Sequence, residues 1–157
     1  MKIALGADHA GFELKEKVKK YLTKHGYQVE DLGTNNGDSV DYPDYAYKVA
    51  KHIAGNQADF GVLVCGSGLG MAMTANKVPG VRAASATLEQ EAQLAREHND
   101  ANVLAIGARL VKDEQAMKLV DTFLKSSFGH GRHVPRVAKI EAVEREIARE
   151  VAKGTRS

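Results

Sequence analysis

The sequence predicts an α/β protein, a three-layer α/β/α sandwich with Rossmann-like topology around a five-stranded parallel sheet. Short apolar runs alternate with longer segments whose apolar residues recur at helical spacing, an order typical of βαβ units. The run Phe60–Cys65 is apolar throughout, as expected of a central strand covered by helices on both faces. The length of 157 residues suits one domain, which we place at residues 1–153, with a frayed tail at 154–157.

The first two strands are predicted on either side of an amphipathic helix. They are placed at residues 2–6 and 27–32, two short segments of strand length. Between them, apolar side chains recur at i, i+4, i+7 and i+8: Leu14, Val18, Tyr21 and Leu22. This helix should end at Gly26, because glycine readily adopts the left-handed conformation found just beyond helix C-termini.

A surface loop, a helix and the central strand follow. Residues 33–43 are rich in Gly, Asn, Asp and Ser, which favour turns. The next helix is predicted from apolar residues at helical spacing: Tyr45, Val49 and Ile53. Gly55 should close that helix. After the central strand, residues 66–77 begin with a glycine-rich turn and continue as a helix.

The second half of the chain repeats the strand–helix order. Residues 81–84 and Val103–Gly107 are the predicted fourth and fifth strands, and residues 88–98 form the helix between them. Residues 113–127 form a helix that starts from an acidic cap. Four of its apolar side chains should turn inward: Met117, Val120, Phe123 and Leu124.

The last predicted helix starts near Pro135, because proline suits the first turn, where its missing N–H costs no hydrogen bond. Its buried face should carry five apolar residues: Val137, Ile140, Val143, Ile147 and Val151. Glu141 and Arg145 stand four residues apart on the outer side, a spacing that allows an ion pair.

The composition argues against a nucleic-acid-binding, a membrane-spanning and a disulfide-bonded protein. The 22 Lys and Arg against 20 Asp and Glu leave a net charge of +2, too balanced for a nucleic-acid-binding surface. Apolar stretches reach only about six residues, so we expect no membrane span, and no signal peptide is recognised at the start. Cys65 is the single cysteine, which excludes an internal disulfide and a CxxC site. A cytoplasmic location is expected.

Ligands of parallel sheets bind beyond the carboxyl ends of the strands, so residues that follow strands are the functional candidates. Asp8 and His9 follow the first strand. They could act in a site, or Asp8 could cap the next helix while His9 is merely exposed.

Cys65 ends the central strand, and Gly66, Gly68 and Gly70 follow it. Alternate glycines allow a sharp turn that presents backbone N–H groups to an anion at a helix N-terminus. The same partial positive charge favours a thiolate. A buried structural cysteine before a tight turn is the alternative, but its place directly before the glycines favours function.

Three familiar phosphate-binding loops do not fit this turn. A dinucleotide-binding G-x-G-x-x-G motif would need its third glycine where Met71 stands. A Walker-type loop would end in Gly-Lys-Ser/Thr, which is absent. A cysteine phosphatase would need an arginine, again at Met71. We therefore expect an oxyanion-binding turn that serves neither a dinucleotide nor cysteine phosphate transfer.

Two further polar clusters lie beside helix ends. His98, Asn99 and Asp100 precede the fifth strand. His98 could exchange protons near neutral pH, or it could be an ordinary histidine at a helix C-terminus with Asn99 as the cap. Arg132 and Arg136 bracket the start of the last helix, where they would suit a phosphate or form a solvated basic surface.

These residues favour an α/β protein that handles a small phosphorylated anion by proton transfer. His130 and His133 have the spacing of a metal-binding pair, but no third ligand accompanies them, so no metal is expected. No nucleotide cofactor is expected either, and NAD(H) affinity would contradict our interpretation of the glycine turn.

Six segments in order carry a resemblance to one family. They are Gly-Ala-Asp-His-Ala-Gly at 6–11, Asp-Tyr-Pro at 41–43, Cys-Gly-Ser-Gly-Leu-Gly at 65–70, Ala-Asn-Lys at 75–77, Gly-Val-Arg-Ala at 80–83 and His-Asn-Asp-Ala-Asn-Val-Leu at 98–104. Together they resemble the type B ribose-5-phosphate isomerases, whose family also holds allose-6-phosphate and galactose-6-phosphate isomerases. The resemblance covers residues 2–147 of the 157.

The resemblance implies a cofactor-independent isomerase domain. Its reaction would interconvert ribose 5-phosphate and ribulose 5-phosphate through a cis-enediolate, in the non-oxidative pentose phosphate pathway. Cys65 would move a proton between C1 and C2, since this chain has Met71 where some members carry a glutamate. Ser67, which is threonine in many relatives, would bond the reacting groups. His98 would open the furanose ring, helped by Asp8.

The resemblance also implies the substrate-binding residues and a partner. Asn99 would hold a sugar oxygen, Tyr42 would line the pocket, and the amides of residues 66–70 would stabilise the enediolate. Four residues would bind the phosphate: His9, Arg109, Arg132 and Arg136. The family forms homodimers in which His98 and Asn99 reach into the neighbour's site, and the sequence leaves open whether two dimers associate further.

Two alternatives to a ribose 5-phosphate isomerase remain. The first is the same chemistry on a hexose 6-phosphate such as allose 6-phosphate, because one extra carbon changes binding by only ~1–3 kcal/mol. The pocket should be bounded by residues 34–40 and by side chains near Met71 and Met73. Galactose-6-phosphate isomerases use two different chains that each lack part of the site, whereas this chain carries the whole set. The second alternative is a non-catalytic phosphosugar-binding module, which would have no use for both Cys65 and His98.

Overall fold

The parallel sheet predicted from the sequence is present in the computed structural model, which describes residues 1–154. Its strands are β1 (Lys2–Ala7), β2 (Gln28–Asp31), β3 (Phe60–Cys65), β4 (Ala83–Ser85) and β5 (Val103–Gly107). They lie in the order β2-β1-β3-β5-β4, and each neighbouring pair is parallel. Of the tail expected to fray, residues 155–157 lie outside the described residues.

Helices cover both faces of the sheet, which confirms the three-layer α/β/α fold. The described residues form α1 (Phe12–Lys24), α2 (Tyr42–Ala54), α3 (Leu69–Ala75), α4 (Glu89–Asn99), α5 (Asp113–Lys125) and α6 (His133–Ala152). Side chains alternate along each strand, so that Ile3 and Leu5 pack towards α1, α4 and α5 while Ala4 packs towards α2 and α3. Each face of the sheet therefore has its own apolar core.

Several element boundaries differ from the predictions, for local reasons. α2 begins at Tyr42, so Tyr42 and Pro43 belong to its first turn and not to the preceding loop. β4 begins at Ala83, two residues later than predicted, and the N–H of Arg82 before it donates to the side chain of Asn102 over 2.8 Å. The side chain of Asn76 bonds both the N–H and the carbonyl of Ala83, and so covers part of this edge strand.

The predicted buried face of the last helix is wrong. Among the five apolar residues of that face, only Val137 is buried, and Val143 is 58% exposed. α6 packs against α4 and not in the two cores, and Ile140, Val143 and Val151 are exposed. The ion pair expected between Glu141 and Arg145 on the outer side of the helix also differs from the structure. Glu141 pairs instead with Arg82, at 3.2 Å.

The prediction that α5 starts from an acidic cap also needs correction. Lys112 occupies the N-cap position of α5, so Asp113 is the first helical residue and not the cap. The Asp113 carboxylate forms an ion pair with Lys17 of α1, at 2.6 Å, and so links the two helices.

A buried ion pair joins α1 to the end of β2. Lys15 is fully buried, and its Nζ lies 2.6 Å from Oδ2 of Asp31. The other carboxylate oxygen of Asp31 accepts the N–H of Gly33, and Lys19 adds a second cation at 3.1 Å. Burial alone would raise the pKa of Asp31, but the hydrogen bonds from Lys15, Gly33 and Lys19 outweigh it and lower that pKa.

The strand order places a crevice at the carboxyl ends of β1 and β3. The chain leaves β1 towards β2 on one side, whereas β3 pairs with the other side of β1. Loops diverge at such a switch point and leave space for a ligand. Among residues 1–154, no helix has the length and apolar character needed to cross a membrane.

Candidate active site

A pocket of about 380 Å³ opens at this switch point. Its walls are Asp8, Tyr42, Cys65, Gly66, Ser67, Gly70, Arg109 and Leu110. The first seven are residues that the sequence or the family resemblance singled out, and they come from four separate segments. Leu110 is the addition, since an apolar residue in a loop carries no chemical signal that sequence reasoning could use.

Cys65 lies at the carboxyl end of β3 under the glycine turn. The residue is 4% exposed, and the N–H of Gly68 donates a hydrogen bond to its Sγ over 3.1 Å. Gly68 has φ of +79°, a left-handed conformation that few other residues adopt without strain. The turn therefore directs at least one backbone donor at the sulfur.

Two glycines of the turn are required by what packs against them. A Cβ at Gly70 would lie 2.4 Å from the Tyr42 ring, and one at Gly66 would lie 2.8 Å from the Arg109 guanidinium. Because neither glycine has a side chain, the phenol and the cation can approach the turn closely. The pocket thus has an aromatic wall against Gly70 and a positive charge against Gly66.

Asp8 serves the local fold and the pocket together. Its carboxylate is buried and accepts the N–H of Gly11, the N-cap residue of α1, over 3.0 Å. The two interpretations of Asp8 are therefore compatible, because it stabilises the start of α1 and still lines the pocket. His9 lies beside it, with Nδ1 3.2 Å from the backbone N and O of Val40.

Backbone hydrogen bonds join the loop after β5 to the glycine turn. The N–H of Ala108 donates to the carbonyl of Cys65 over 2.8 Å, and the N–H of Arg109 donates to that of Gly66 over 3.0 Å. These bonds place the Arg109 side chain and the next residue, Leu110, at the mouth of the pocket.

His98 and Asn99 lie near the amino ends of the strands, whereas Cys65 lies at the carboxyl ends. They end α4, which leads through Asn102 into the amino end of β5. The carbonyl of Asn102 accepts the N–H of Gly61, near the amino end of β3, which fixes this location. Within one chain these two residues are therefore separated from the pocket by the length of the strands.

His98 stacks on a group of basic side chains at the start of α6, which together with it we call the His98 cluster. Its ring stacks on that of His133, with centroids 4.3 Å apart and an interplanar angle of 15°. Arg132 is the N-cap residue of α6 and Arg136 lies in its first turn, and both are exposed. Partial burial, and then electrostatic interactions with His98 and with the Arg132 and Arg136 cations, lower the pKa of His133.

Two other predictions can be compared with these positions. Met71 is fully buried in the core and is not a wall of the pocket, although its neighbour Gly70 is. Met73 is 66% exposed on α3 and is not a wall of the pocket either. His130 contacts the ring of Phe128, and across residues 1–154 no three His, Cys, Asp or Glu side chains gather in a group that could hold a metal ion.

Comparison with known proteins adds the family. The model of the ribose/galactose isomerase family matches residues 3–140. Ribose-5-phosphate isomerase B of Escherichia coli is 46% identical over 143 residues, covering 91% of this chain and 96% of the relative.

Solved structures agree with the sequence match. Ribose-5-phosphate isomerase B of Clostridium thermocellum superposes with a TM-score of 0.93 at 48% identity, covering 94% of this chain and 99% of that one. Ribose-5-phosphate isomerase B of Mycoplasma genitalium, solved with bound ribulose 5-phosphate, gives 0.90 at 44% identity, with 92% and 97% covered. On this sequence match and this shared fold, the chain belongs to the ribose/galactose isomerase family.

Proposed function

We propose that this protein, with residues 1–153 as one isomerase domain, interconverts ribose 5-phosphate and ribulose 5-phosphate. The observation that carries the proposal is the placement of Cys65 under a glycine N–H, in a pocket shared with Asp8, Ser67 and Arg109. Relatives that match nearly end to end are named ribose-5-phosphate isomerase B, and one was solved with bound ribulose 5-phosphate.

Cys65 acts as the base in this proposal. Its thiolate removes the proton from C2 of the open-chain aldose, and the electron pair of the broken bond forms a C1–C2 double bond while O1 becomes anionic. Return of the proton to C1, with transfer of the O2 proton to O1, gives the ketose. Base and oxyanion stabilisation must act together because a proton beside a carbonyl is only weakly acidic.

The backbone of the glycine turn supplies the oxyanion stabilisation. The amides of Gly66, Gly68 and Gly70, with the Ser67 hydroxyl, are the groups nearest to Cys65 in the chain, and Gly66, Ser67 and Gly70 line the pocket. Such donors are fixed in place before the reaction, so they stabilise the developing charge without reorganising. Tyr42 closes the aromatic wall of the sugar site.

The cationic groups named by the family resemblance bind the phosphate in this proposal. Arg109 stands at the pocket mouth, while Arg132 and Arg136 belong to the cluster around His98. His9 is fastened beside Asp8 by the backbone of Val40. Binding energy from the phosphate, far from the reacting carbon, would orient the sugar over Cys65.

A second copy of the chain completes the site. His98, which would open the furanose ring with help from Asp8, and Asn99, which would hold a sugar oxygen, lie a strand length away from the pocket of their own chain. A homodimer that brings the His98 cluster of one subunit to the Cys65 pocket of the other removes this separation. The same association supplies Arg132 and Arg136 from the partner.

The exposed stripe of α6 supports this assembly. Ile140 and Val143 line a groove of about 530 Å³ whose wall also includes Asn99 and Arg82. An uncovered apolar groove of this kind is unusual on a monomer and typical of an interface. Cover by a second subunit would explain why the helix is apolar on a face that this chain leaves open. The cytoplasmic location expected from the sequence stays a prediction.

Steady-state isomerisation of ribose 5-phosphate, measured beside allose 6-phosphate with one preparation, tests the function. A preference for ribose 5-phosphate, with solvent deuterium entering C2 of the aldose, is the expected result. A preference for allose 6-phosphate would keep the chemistry and change the substrate. Tight binding of ribose 5-phosphate without turnover or deuterium exchange would instead indicate a binding module and contradict the proposal.

A further inference from the structure

A second cavity, which we call the Ser85 cleft, adjoins the Cys65 pocket. Its volume is about 180 Å³. It shares two wall residues with the Cys65 pocket, Ser67 and Leu110. Its other walls are Leu69, Ser85, Ala86, Thr87 and Glu91. The two shared residues therefore form the boundary between the Cys65 pocket and the cleft.

Leu110 is the bulky member of that boundary. Its backbone N–H is held by the carbonyl of Gly107 over 3.0 Å, and the preceding N–H of Arg109 is held by Gly66, so the main chain at this point is fixed. The side chain is 58% exposed and has no polar atom, so it contributes only size and shape to the boundary. Ser67 is short, and its Oγ is occupied by the N–H of Leu69 at 3.3 Å.

The Ser85 cleft offers the groups that bind sugar hydroxyls. Ser85 and Thr87 contribute hydroxyls that both donate and accept hydrogen bonds. Glu91 is held as a carboxylate, because hydrogen bonds from the N–H groups of Thr87 and Leu88 and from the Thr87 hydroxyl lower its pKa. One additional carbon with its hydroxyl needs a volume close to that of a water molecule, roughly 30 Å³, so the cleft has ample room.

We propose that Leu110 determines the length of sugar phosphate that the Cys65 pocket accepts, and that the Ser85 cleft binds the additional carbon and hydroxyl of a six-carbon aldose 6-phosphate. The proposal rests on the isomerase function of the Cys65 pocket. In the native chain the leucine side chain restricts passage from the pocket to the cleft. Removal of most of that side chain joins the two spaces, and enlargement of it separates them further.

Three variants test this residue. Leu110→Ala should raise the ratio of kcat/KM for allose 6-phosphate to that for ribose 5-phosphate about tenfold, the effect typical of one carbon in a pocket. Leu110→Phe should lower that ratio. Leu88→Ala is the matched control, because Leu88 is also 58% exposed and lies near Thr87 but is not a wall of the Cys65 pocket or the Ser85 cleft. A Leu110→Ala ratio equal to that of Leu88→Ala would overturn the proposal.

Binding measurements separate this inference from the isomerase function. Calorimetry with ribonate 5-phosphate and allonate 6-phosphate, two unreactive phosphorylated sugar acids, requires no turnover. A gain in relative affinity for the six-carbon acid in Leu110→Ala supports the boundary role even if the wild type does not isomerise ribose 5-phosphate. Unchanged relative affinity in an enzyme that does isomerise ribose 5-phosphate would overturn the boundary role alone.

Discussion

The backbone N–H of Gly68 points at Sγ of Cys65 and donates a 3.1 Å hydrogen bond to it. The sulfur is buried, and this donor replaces part of the hydration that burial removes. Gly68 makes this contact in a left-handed conformation, so the turn that we propose for oxyanion binding also contacts the proposed base.

Replacement of Cys65 should therefore separate turnover from binding. Cys65→Ala is expected to lower kcat by ~10²–10⁴-fold, the usual contribution of a positioned base, while ribose 5-phosphate still binds. Cys65→Ser, which keeps a hydrogen-bond acceptor for Gly68, should fold as well as the wild type and show a similar loss, because a hydroxyl is a much weaker proton acceptor. Steady-state kinetics and calorimetry measure the two quantities. Full turnover by Cys65→Ala would show that another group is the base.

Gly70 should tolerate no side chain, because the Tyr42 ring occupies the space. Gly70→Ala places a Cβ 2.4 Å from that ring and should displace it. Loss of the aromatic wall misplaces the sugar, so we expect kcat/KM to fall about 10–100-fold. Gly37→Ala is the control, since nothing lies within 4 Å of a Cβ at that exposed position. Equal kinetics for the two variants would contradict the close contact between Tyr42 and the turn.

The fold and the glycine turn after Cys65 were predictable because their signals are local, whereas Tyr42 and Arg109 were named only by the family resemblance. A strand that ends in Cys65 and continues into alternating glycines specifies a strand–turn–helix geometry within a few residues. The place of Asp8 follows from the parallel sheet, which brings the ends of β1 and β3 together. The first inference needs only a few neighbouring residues, and the second needs only the parallel sheet that the βαβ order predicts.

The face of α6 and the role of Leu110 were not predictable for a different reason. The apolar spacing of Ile140 and Val143 indicates that the helix is covered, but the same pattern results whether the cover is this chain or another. Leu110 is one of many leucines, and its significance comes only from the two cavities that meet at its side chain. Both facts depend on tertiary geometry that no local pattern contains.

The Lys15–Asp31 pair should make the protein sensitive to acid. The pKa of Asp31 is lowered below its ordinary 3.8, so its contribution to stability is complete above that pH and is lost as the pH falls through the folded-state pKa. Asp31→Asn removes the 2.6 Å carboxylate partner of buried Lys15, which keeps only the carboxylate of Glu16 at 2.8 Å, and should cost about 1–3 kcal/mol at pH 7.

The partner variant Lys15→Met should cost less than Asp31→Asn. Methionine fills the buried space, and Asp31 keeps the N–H of Gly33 and Lys19. Urea unfolding at equal protein concentration, at pH 7 and pH 3, measures both. The difference in stability between wild type and Asp31→Asn should shrink at pH 3, and a difference that persists there would mean that Asp31 does not titrate as described.

Dimers assembled from two different variants should reveal whether each active site contains residues of both subunits. Cys65→Ala and His98→Ala dimers are each expected to be nearly inactive, but a heterodimer of the two has one site with Cys65 from one chain and His98 from the other. Joint refolding should make about half of the dimers mixed and restore about a quarter of the wild-type activity. A mixture of Cys65→Ala with Ser67→Ala is the control, because both residues lie in the same pocket and no intact site can form. If His98 acted within its own chain, the first mixture would stay as inactive as the control.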